Sequence, residues 1–180
     1  MLEDLGARVF YSDEEAKQLL LDDPEARSEV IQAFGPQSYG TDGLLNREYL
    51  AESVFSNVYK LERINAIVHP RVRARFEKAV EQARDDGVPL MVQEAALIFE
   101  ASADRYLDAV AVVNAGRELR IERVQQRDNH SREHVEERMG HQLPPEELRR
   151  RADFVIDNSG ALEETRRQVE TLFERLTSDV

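Results

Sequence analysis

Short runs of strand-forming residues alternate with longer stretches of helical patterning along this chain. The runs lie at residues 7–11, 88–92, 108–113 and 154–156. Those at 88–92 and 108–113 are mostly apolar without alternation, which is typical of parallel strands that are covered on both faces. The alternation of strands and helices predicts an α/β fold built on a mostly parallel sheet.

The stretches between the runs carry the signals of helix starts and ends. We expect Ser12 or Asp13 to cap the first helix, Ser131 to cap a later one, and Pro70 to occupy the first turn of its helix. A loop rich in turn residues is expected at 35–43. The predicted helices span residues 13–21, 25–34, 47–55, 58–68, 70–84, 118–127, 132–142, 146–151 and 162–176.

The composition is that of a charged globular protein with an acidic excess. The 180 residues suit one domain, and 24 basic against 36 acidic residues give a net charge of −12. A field of that sign disfavours nucleic acid and anionic lipid, so we expect neither as a partner. Cysteine is absent, which excludes disulfides and thiol chemistry and favours a reducing, cytoplasmic location. The acidic excess is also typical of adaptation to high salt.

Asp13 is the first candidate functional residue, because it directly follows a predicted strand and begins a helix. The carboxyl ends of strands line the ligand crevice of open α/β sheets. A carboxylate at that place can accept a proton from a substrate hydroxyl or hold Mg²⁺ through water. The alternative is that Asp13 only caps the helix, and the local pattern leaves both interpretations open.

Two further segments carry candidate functional residues. The arginine-rich stretch from Arg127 to Arg151 could form a mobile flap that neutralises a transferred phosphate, or a solvated hairpin of Glu–Arg pairs. In segment 152–160, ADFVIDNSG, a strand runs into Asn158 and Gly160. Backbone and amide groups there suit contacts to a purine, although an ordinary strand-to-helix turn would have the same pattern.

Taken in order, these segments resemble the dephospho-CoA kinase family, and the resemblance covers essentially the whole chain. His69-Pro70 matches the family's H-P pair, and Arg127-Asp128 matches its R-D at the lid entrance. Ser131-Arg132-Glu133 matches S-R-E, and R-x-x-x-Q is found from Arg138 to Gln142. The signature A-D-x-V-I-x-N-x-G is intact at 152–160. The order and spacing of the motifs carry the resemblance, since no single motif is decisive.

Three departures from the family's pattern are visible. Tyr11 replaces the first aspartate of a D-x-D-like element, in which Asp13 keeps the second position. The P-L-L-F-E element occurs at 95–100 without its proline. The family's first strand and phosphate-binding loop, G-x-x-G-x-G-K-[ST], do not occur, because Leu5-Gly6 already matches the end of the helix that follows them.

The absent strand would be the central one of the sheet, between the runs at 88–92 and 108–113. We therefore expect no hydrogen-bonded ladder between those two runs. We also expect the coding sequence upstream of Met1 to supply the strand and loop. A chain that begins at Met1 is expected to aggregate and to form no measurable ADP, because the ATP phosphates would lose their backbone donors.

The resemblance implies transfer of the γ-phosphoryl group of ATP to the ribose 3′-hydroxyl of dephospho-CoA, the last step of coenzyme A biosynthesis. ATP and Mg²⁺ are implied, although the family's protein ligand for Mg²⁺ belongs to the absent loop and no metal ligand is assigned in this chain. Residue roles follow from the matched motifs: Asp13, Arg132 and Arg138 in catalysis, His69, Arg73 and Glu100 in substrate binding, and Asn158 and Gly160 in nucleotide binding.

The implied fold is a P-loop-kinase-like, doubly wound parallel sheet flanked by helices. A single domain is expected, with its parts as follows: a core at 1–45, 86–127 and 152–180, a helical insert on the CoA side at about 46–85, and a lid at about 128–151. The protein is expected to be a monomer or small homo-oligomer. Two alternatives are a non-catalytic CoA- or nucleotide-binding paralogue and a different nucleotide kinase of this architecture, although the 152–160 signature argues against the second.

Overall fold

The structure is a computed structural model that describes residues 1–55 and 57–178. Packing divides the chain into two compact units, which are described separately. Residues 9–95 form the unit called N-terminal here. Residues 1–8 join the chain from residue 96 onward in the unit called C-terminal.

The N-terminal unit combines two paired strands with helices. In chain order its elements are β1 (Arg8–Tyr11), α1 (Ser12–Asp22), α2 (Pro24–Phe34), α3 (Arg47–Phe55), α4 (Val58–Asp85) and β2 (Met91–Glu94). β1 pairs with β2, and α4 packs against α1, α2 and α3. Leu19, Val30 and Ile67 are fully buried between these helices. Phe10 meets Phe76 edge to face, with ring centroids 5.3 Å apart.

The C-terminal unit is built on a parallel strand pair. Its elements are β3 (Ala111–Asn114), α5 (Arg117–Asp128), α6 (Arg132–Gly140), α7 (Pro145–Arg151), β4 (Phe154–Asp157) and α8 (Leu162–Thr177). β3 and β4 are parallel, in a register that runs from Ala111 opposite Phe154 to Asn114 opposite Asp157. Across the part of the chain that the structure describes, strands pair only as β1–β2 and β3–β4, so the two central runs share no ladder, as expected.

The helix α4 corrects one prediction. The sequence predicted two helices that meet at Pro70, but a single helix continues through this proline. A proline inside a helix lacks the N–H that would bond four residues back and costs about 3 kcal/mol. Burial of Ile67 and Val68 before Pro70 and of Val72 and Phe76 after it offsets that cost.

Both central strands begin three residues later than predicted. Gly87, at φ 67°, and Val88 close α4 with a Schellman motif, in which the Val88 N–H donates to the Ala83 carbonyl at 2.9 Å. Val88 is therefore part of a helix end and not of a strand. At the second run, the Val110 N–H donates to the Asp153 carboxylate at 2.8 Å, so the ladder begins at Ala111.

The coverage of β3 also differs from the prediction. Val113 is 63% exposed, whereas the apolar run at 108–113 predicted burial on both faces.

Among the described residues, no helix is both long enough and apolar enough to cross a membrane.

Candidate active site

Asp13 lies in the first turn of α1, directly after β1, and its side chain is exposed. The prediction that Ser12 or Asp13 caps the helix is wrong. Tyr11 is the N-cap residue, and no side chain there accepts a capping hydrogen bond. The Ser12 hydroxyl instead accepts a hydrogen bond from Gln93 of β2 at 3.0 Å. Over the described ranges, the Asp13 carboxylate has neither a hydrogen-bond nor an ion-pair partner, which leaves it available to a ligand.

His69 and Arg73 lie one turn apart on α4, and the continuity of this helix puts both on one face. The Arg73 Nε donates to Glu77 at 2.8 Å, and both side chains are more than half exposed. The His69 side chain is solvent-exposed, yet partial desolvation by the surrounding protein lowers its pKa below the usual histidine value. A neutral imidazole and a guanidinium therefore share this face near pH 7.

Arg132, at the start of α6, is held by two carboxylates. Its Nη1 lies 2.9 Å from Glu118 of α5, and its Nε lies 3.0 Å from Glu136. The hydrogen bond from Arg132 is the main reason that the pKa of Glu118 is lowered. Ser131 caps α6 as predicted, since its hydroxyl accepts from the His134 N–H at 3.3 Å.

Arg138, about two turns further along α6, differs from Arg132 in its ion pairing. Its side chain is exposed, and no ion pair to it occurs within the described part of the chain. Asp128 is instead bound by Arg127 through two hydrogen bonds of 2.7 and 2.8 Å, which lower the pKa of Asp128. Of the two predicted lid arginines, Arg138 is thus the one whose guanidinium is available to an anion.

The arginine triplet of α7 is paired within its own helix. Arg149 bonds Glu146, and both Arg150 and Arg151 bond Glu147. For this triplet the structure matches the hairpin of Glu–Arg pairs, which was one of the two interpretations of the arginine-rich stretch.

Glu100 contacts the segment between α6 and α7. Its carboxylate accepts from the Leu143 N–H at 2.6 Å, and Gln142 donates to the Ala96 carbonyl at 3.4 Å. The predicted substrate-binding carboxylate therefore holds this segment through the Leu143 N–H.

The two ends of the 152–160 signature make different hydrogen bonds. Asp153 bonds the Val110 N–H and so fixes the start of the strand pair. At the carboxyl end of β4, the Asn158 N–H donates to the Asn114 carbonyl at 2.7 Å, and Arg123 donates to the Asn158 carbonyl at 2.7 Å. Both backbone groups of Asn158 are occupied, which leaves its side chain for other contacts.

A Cβ at Gly160 would meet the Glu164 carboxylate, which is the end of a flexible side chain and can move aside. The Glu164 carboxylate accepts from the Ala161 N–H at the start of α8.

The predicted site residues fall into two groups. Asp13, His69 and Arg73 belong to the N-terminal unit, and the structure unites the last two on α4. Glu100, Arg132, Arg138, Asn158 and Gly160 belong to the C-terminal unit. Sequence reasoning missed Arg123, Thr165 and Gln168, which form hydrogen bonds with Asp157 or Asn158 at the end of β4. The only available signal was the placement of Thr165 and Gln168 one turn apart on the following helix.

The described residues include no group of three or more histidine, aspartate or glutamate side chains that could hold a metal ion.

Comparison with known proteins identifies the relatives of this chain. The family model described as dephospho-CoA kinase matches residues 1–164. The dephospho-CoA kinase of Salinibacter ruber is 49% identical over 176 residues, which are 98% of this chain and 88% of that protein. The crystal structure of TT1252 from Thermus thermophilus has a TM-score of 0.83 and 32% identity, over 98% of this chain and 88% of that one.

A dephospho-CoA kinase from Campylobacter jejuni is 24% identical, with a TM-score of 0.70 over 98% of this chain and 88% of that one, and it supports the fold alone. The fold is of the α/β class, with parallel strands flanked by helices. The chain belongs to the dephospho-CoA kinase family, whose members are transferases that use ATP. The resemblance drawn from the motifs is therefore confirmed.

Proposed function

We propose that this protein transfers the γ-phosphoryl group of ATP to the ribose 3′-hydroxyl of dephospho-CoA, with Asp13 as the group that accepts the hydroxyl proton. Family membership supports the reaction. The observation that supports the role of Asp13 is its exposed carboxylate, which directly follows β1 and accepts no capping hydrogen bond from its own helix.

In this reaction the 3′-oxygen attacks the γ-phosphorus of ATP, and the bond from that phosphorus to the β,γ-bridging oxygen breaks. ADP leaves with the bridging oxygen, and the hydroxyl proton passes to the Asp13 carboxylate. A carboxylate within hydrogen-bond reach also orients the hydroxyl for attack, which is a large part of catalysis in phosphoryl transfer.

Arg132 and Arg138 stabilise the negative charge that shifts toward the leaving group. Cations at that place contribute most when water is excluded. Within the described residues, no carboxylate forms an ion pair with Arg138. Its guanidinium therefore binds phosphate without first giving up a partner in its own chain. Arg132 first gives up its bonds to Glu118 and Glu136.

Other residues bind the two substrates. The α4 face that carries His69 and Arg73 suits the phosphate groups of dephospho-CoA, within an insert at about 46–85. Glu100 also serves on the substrate side. Asn158 and Gly160 contact the adenine of ATP, and residues at about 128–151 act as the lid. Mg²⁺ arrives with ATP, and none of the steps assigned to side chains here depends on it. We also propose that the protein works in the cytoplasm, which the absence of cysteine supports. We propose further that it is a monomer or small homo-oligomer.

The test is an Asp13→Asn variant of the full-length protein. We expect kcat to fall by two orders of magnitude or more, since a positioned base typically contributes ~10²–10⁴ in rate. The KM for ATP should stay close to the unmodified value. Glu14→Gln is the matched control, because Glu14 is the next exposed carboxylate in the same turn and the charge change is identical.

The outcome separates two possibilities. If Asp13→Asn keeps near-normal turnover, Asp13 is not the base. If Glu14→Gln reduces turnover as strongly, the effect is one of local charge rather than of a positioned carboxylate.

A further inference from the structure

The side chain of Asn158 is held in one orientation by the helix that follows it. The Thr165 hydroxyl lies 3.1 Å from Asn158 Oδ1 and 3.5 Å from the Asp157 carbonyl. Because a hydroxyl has one proton to donate, the shorter contact takes it. Thr165 is only 5% exposed, so this hydrogen bond is shielded from competing water.

A second contact from α8 fixes the backbone next to Asn158. The Gln168 side-chain amide bonds both polar backbone groups of Asp157. Its Oε1 accepts from the Asp157 N–H at 2.9 Å, and its Nε2 donates to the Asp157 carbonyl at 2.9 Å. Gln168 thus makes the two backbone hydrogen bonds that a neighbouring strand would make at the end of β4, and it fixes the position of the Asp157 backbone.

These contacts leave one part of Asn158 unused. Its N–H, carbonyl and Oδ1 all have partners. In the described stretches of the chain, its Nδ2 amide donates to nothing. Asn158 is only partly buried, and its Nδ2 is not one of the buried unpartnered side-chain atoms of the described residues, so this donor is open to a ligand or to water.

We propose that Thr165 and Gln168 are positioning residues, which orient the Asn158 amide so that Nδ2 donates to an acceptor atom on the nucleobase of ATP. This inference rests on the proposed nucleotide-binding role of Asn158. Thr165 favours this orientation of the amide, because its hydroxyl then donates to Oδ1 at 3.1 Å. With the amide reversed, the hydroxyl would accept from Nδ2 and could donate only to the Asp157 carbonyl, which lies 3.5 Å away. Gln168 fixes the position of the peptide from which that amide projects. α8 therefore acts on nucleotide affinity without touching the nucleotide.

The experiment compares Thr165→Val, Thr165→Ser and Asn158→Ala in the full-length protein. Valine keeps the shape of threonine but removes the donor, whereas serine keeps the donor. Thr171→Val is the matched control, since Thr171 lies on the same helix and donates only to the Arg167 carbonyl of α8. Kinetics with both substrates, calorimetric titration with ATP and thermal unfolding are measured for each variant.

We expect Thr165→Val to raise the KM and dissociation constant for ATP about three- to tenfold, the net contribution of one hydrogen bond. The kcat and the KM for dephospho-CoA should change less than twofold. Thr165→Ser should restore ATP affinity, and Thr171→Val should leave it unchanged. The double variant Asn158→Ala/Thr165→Val should bind ATP no more weakly than Asn158→Ala alone, because Thr165 acts through Asn158.

Three results would overturn the proposal, and they differ in what else they affect. If Asn158→Ala weakens ATP binding but Thr165→Val does not, positioning is wrong and the nucleotide role of Asn158 stands. If Asn158→Ala has no effect on ATP binding, that nucleotide role is wrong as well. If Thr165→Val changes all kinetic constants together and serine does not rescue them, Thr165 has only a structural role.

Discussion

Arg132 and Arg138 illustrate how two arginines of one helix can differ in their readiness to bind phosphate. Arg132 shares the carboxylates of Glu118 and Glu136 with Arg117, whereas Arg138 has no such pair within the described residues. Phosphate binding by Arg132 therefore competes with ion pairs of its own chain. The competition is mild, because all of these groups are at least partly exposed to water.

This competition gives a prediction at the residue scale. Glu118→Gln removes one competing charge, so the KM for ATP should fall by about two- to fivefold, the range expected when one exposed ion pair is lost. Steady-state kinetics at low ionic strength measure it. Glu137→Gln is the control, since Glu137 is exposed on α6 and no ion pair to it occurs in the described chain. A rise in the KM for Glu118→Gln would show instead that Glu118 holds Arg132 in its binding position.

Some contacts of single residues were beyond prediction from the sequence. Ser12 has the residue type of an N-cap, but its hydroxyl accepts from Gln93, far away in the chain. Asp153 and Asn158 belong to one short motif, yet the first bonds the Val110 N–H at the start of a strand pair and the second accepts from the Thr165 hydroxyl of α8. Local pattern identifies such residues as candidates, whereas only tertiary packing decides their partners.

At the scale of elements, most helices and strands were predicted, and the errors fall at Pro70, at the helix end before β2 and at the long-range contact before β3. α3 (Arg47–Phe55) has the predicted bounds. The start of β2 was misplaced because Val88 completes a helix end, and that of β3 because Asp153 takes the Val110 N–H. The proline at position 70 predicted a break, but burial along α4 outweighs its cost.

The proline in α4 gives a prediction on stability. Pro70→Ala restores an N–H that can donate to the carbonyl of Ala66 and removes the clash of the ring, while it loosens the unfolded chain slightly. The free energy of unfolding should rise by about 1–3 kcal/mol, measured by urea denaturation. Pro70 is exposed, so the substitution removes little packing.

Pro145→Ala is the matched control for that experiment. Pro145 is the first residue of α7, where a helix has no partner for the N–H in any case. We expect no gain in stability for this variant. A loss of stability in Pro70→Ala would mean that α4 needs the geometry imposed by proline to keep its contacts with α1, α2 and α3.

For the whole molecule, charge is the property that the sequence defines most directly. The net charge is −12. Surface ion pairs such as those of Arg71 and Arg75 bring opposite charges together locally, but the excess of negative charge over the whole molecule remains. The repulsion between the excess acidic side chains acts over distances longer than the separation of the two charges in an ion pair. Salt screens such long-range terms first, because the Debye length falls from about 10 Å at 0.1 M to about 3 Å at 1 M.

We therefore expect the thermal unfolding temperature to rise by roughly 2–8 °C between 0.05 and 1 M NaCl, the shift that ~1–2 kcal/mol gives for a chain of this size. A variant that neutralises three exposed glutamates, Glu62→Gln/Glu81→Gln/Glu137→Gln, should unfold at a higher temperature in dilute buffer and respond less to salt, since less repulsion remains to be screened. Scanning calorimetry at both salt concentrations measures the two effects. Maximal stability in dilute buffer would show that short-range ion pairs outweigh the repulsion, and that the acidic excess is no adaptation to salt.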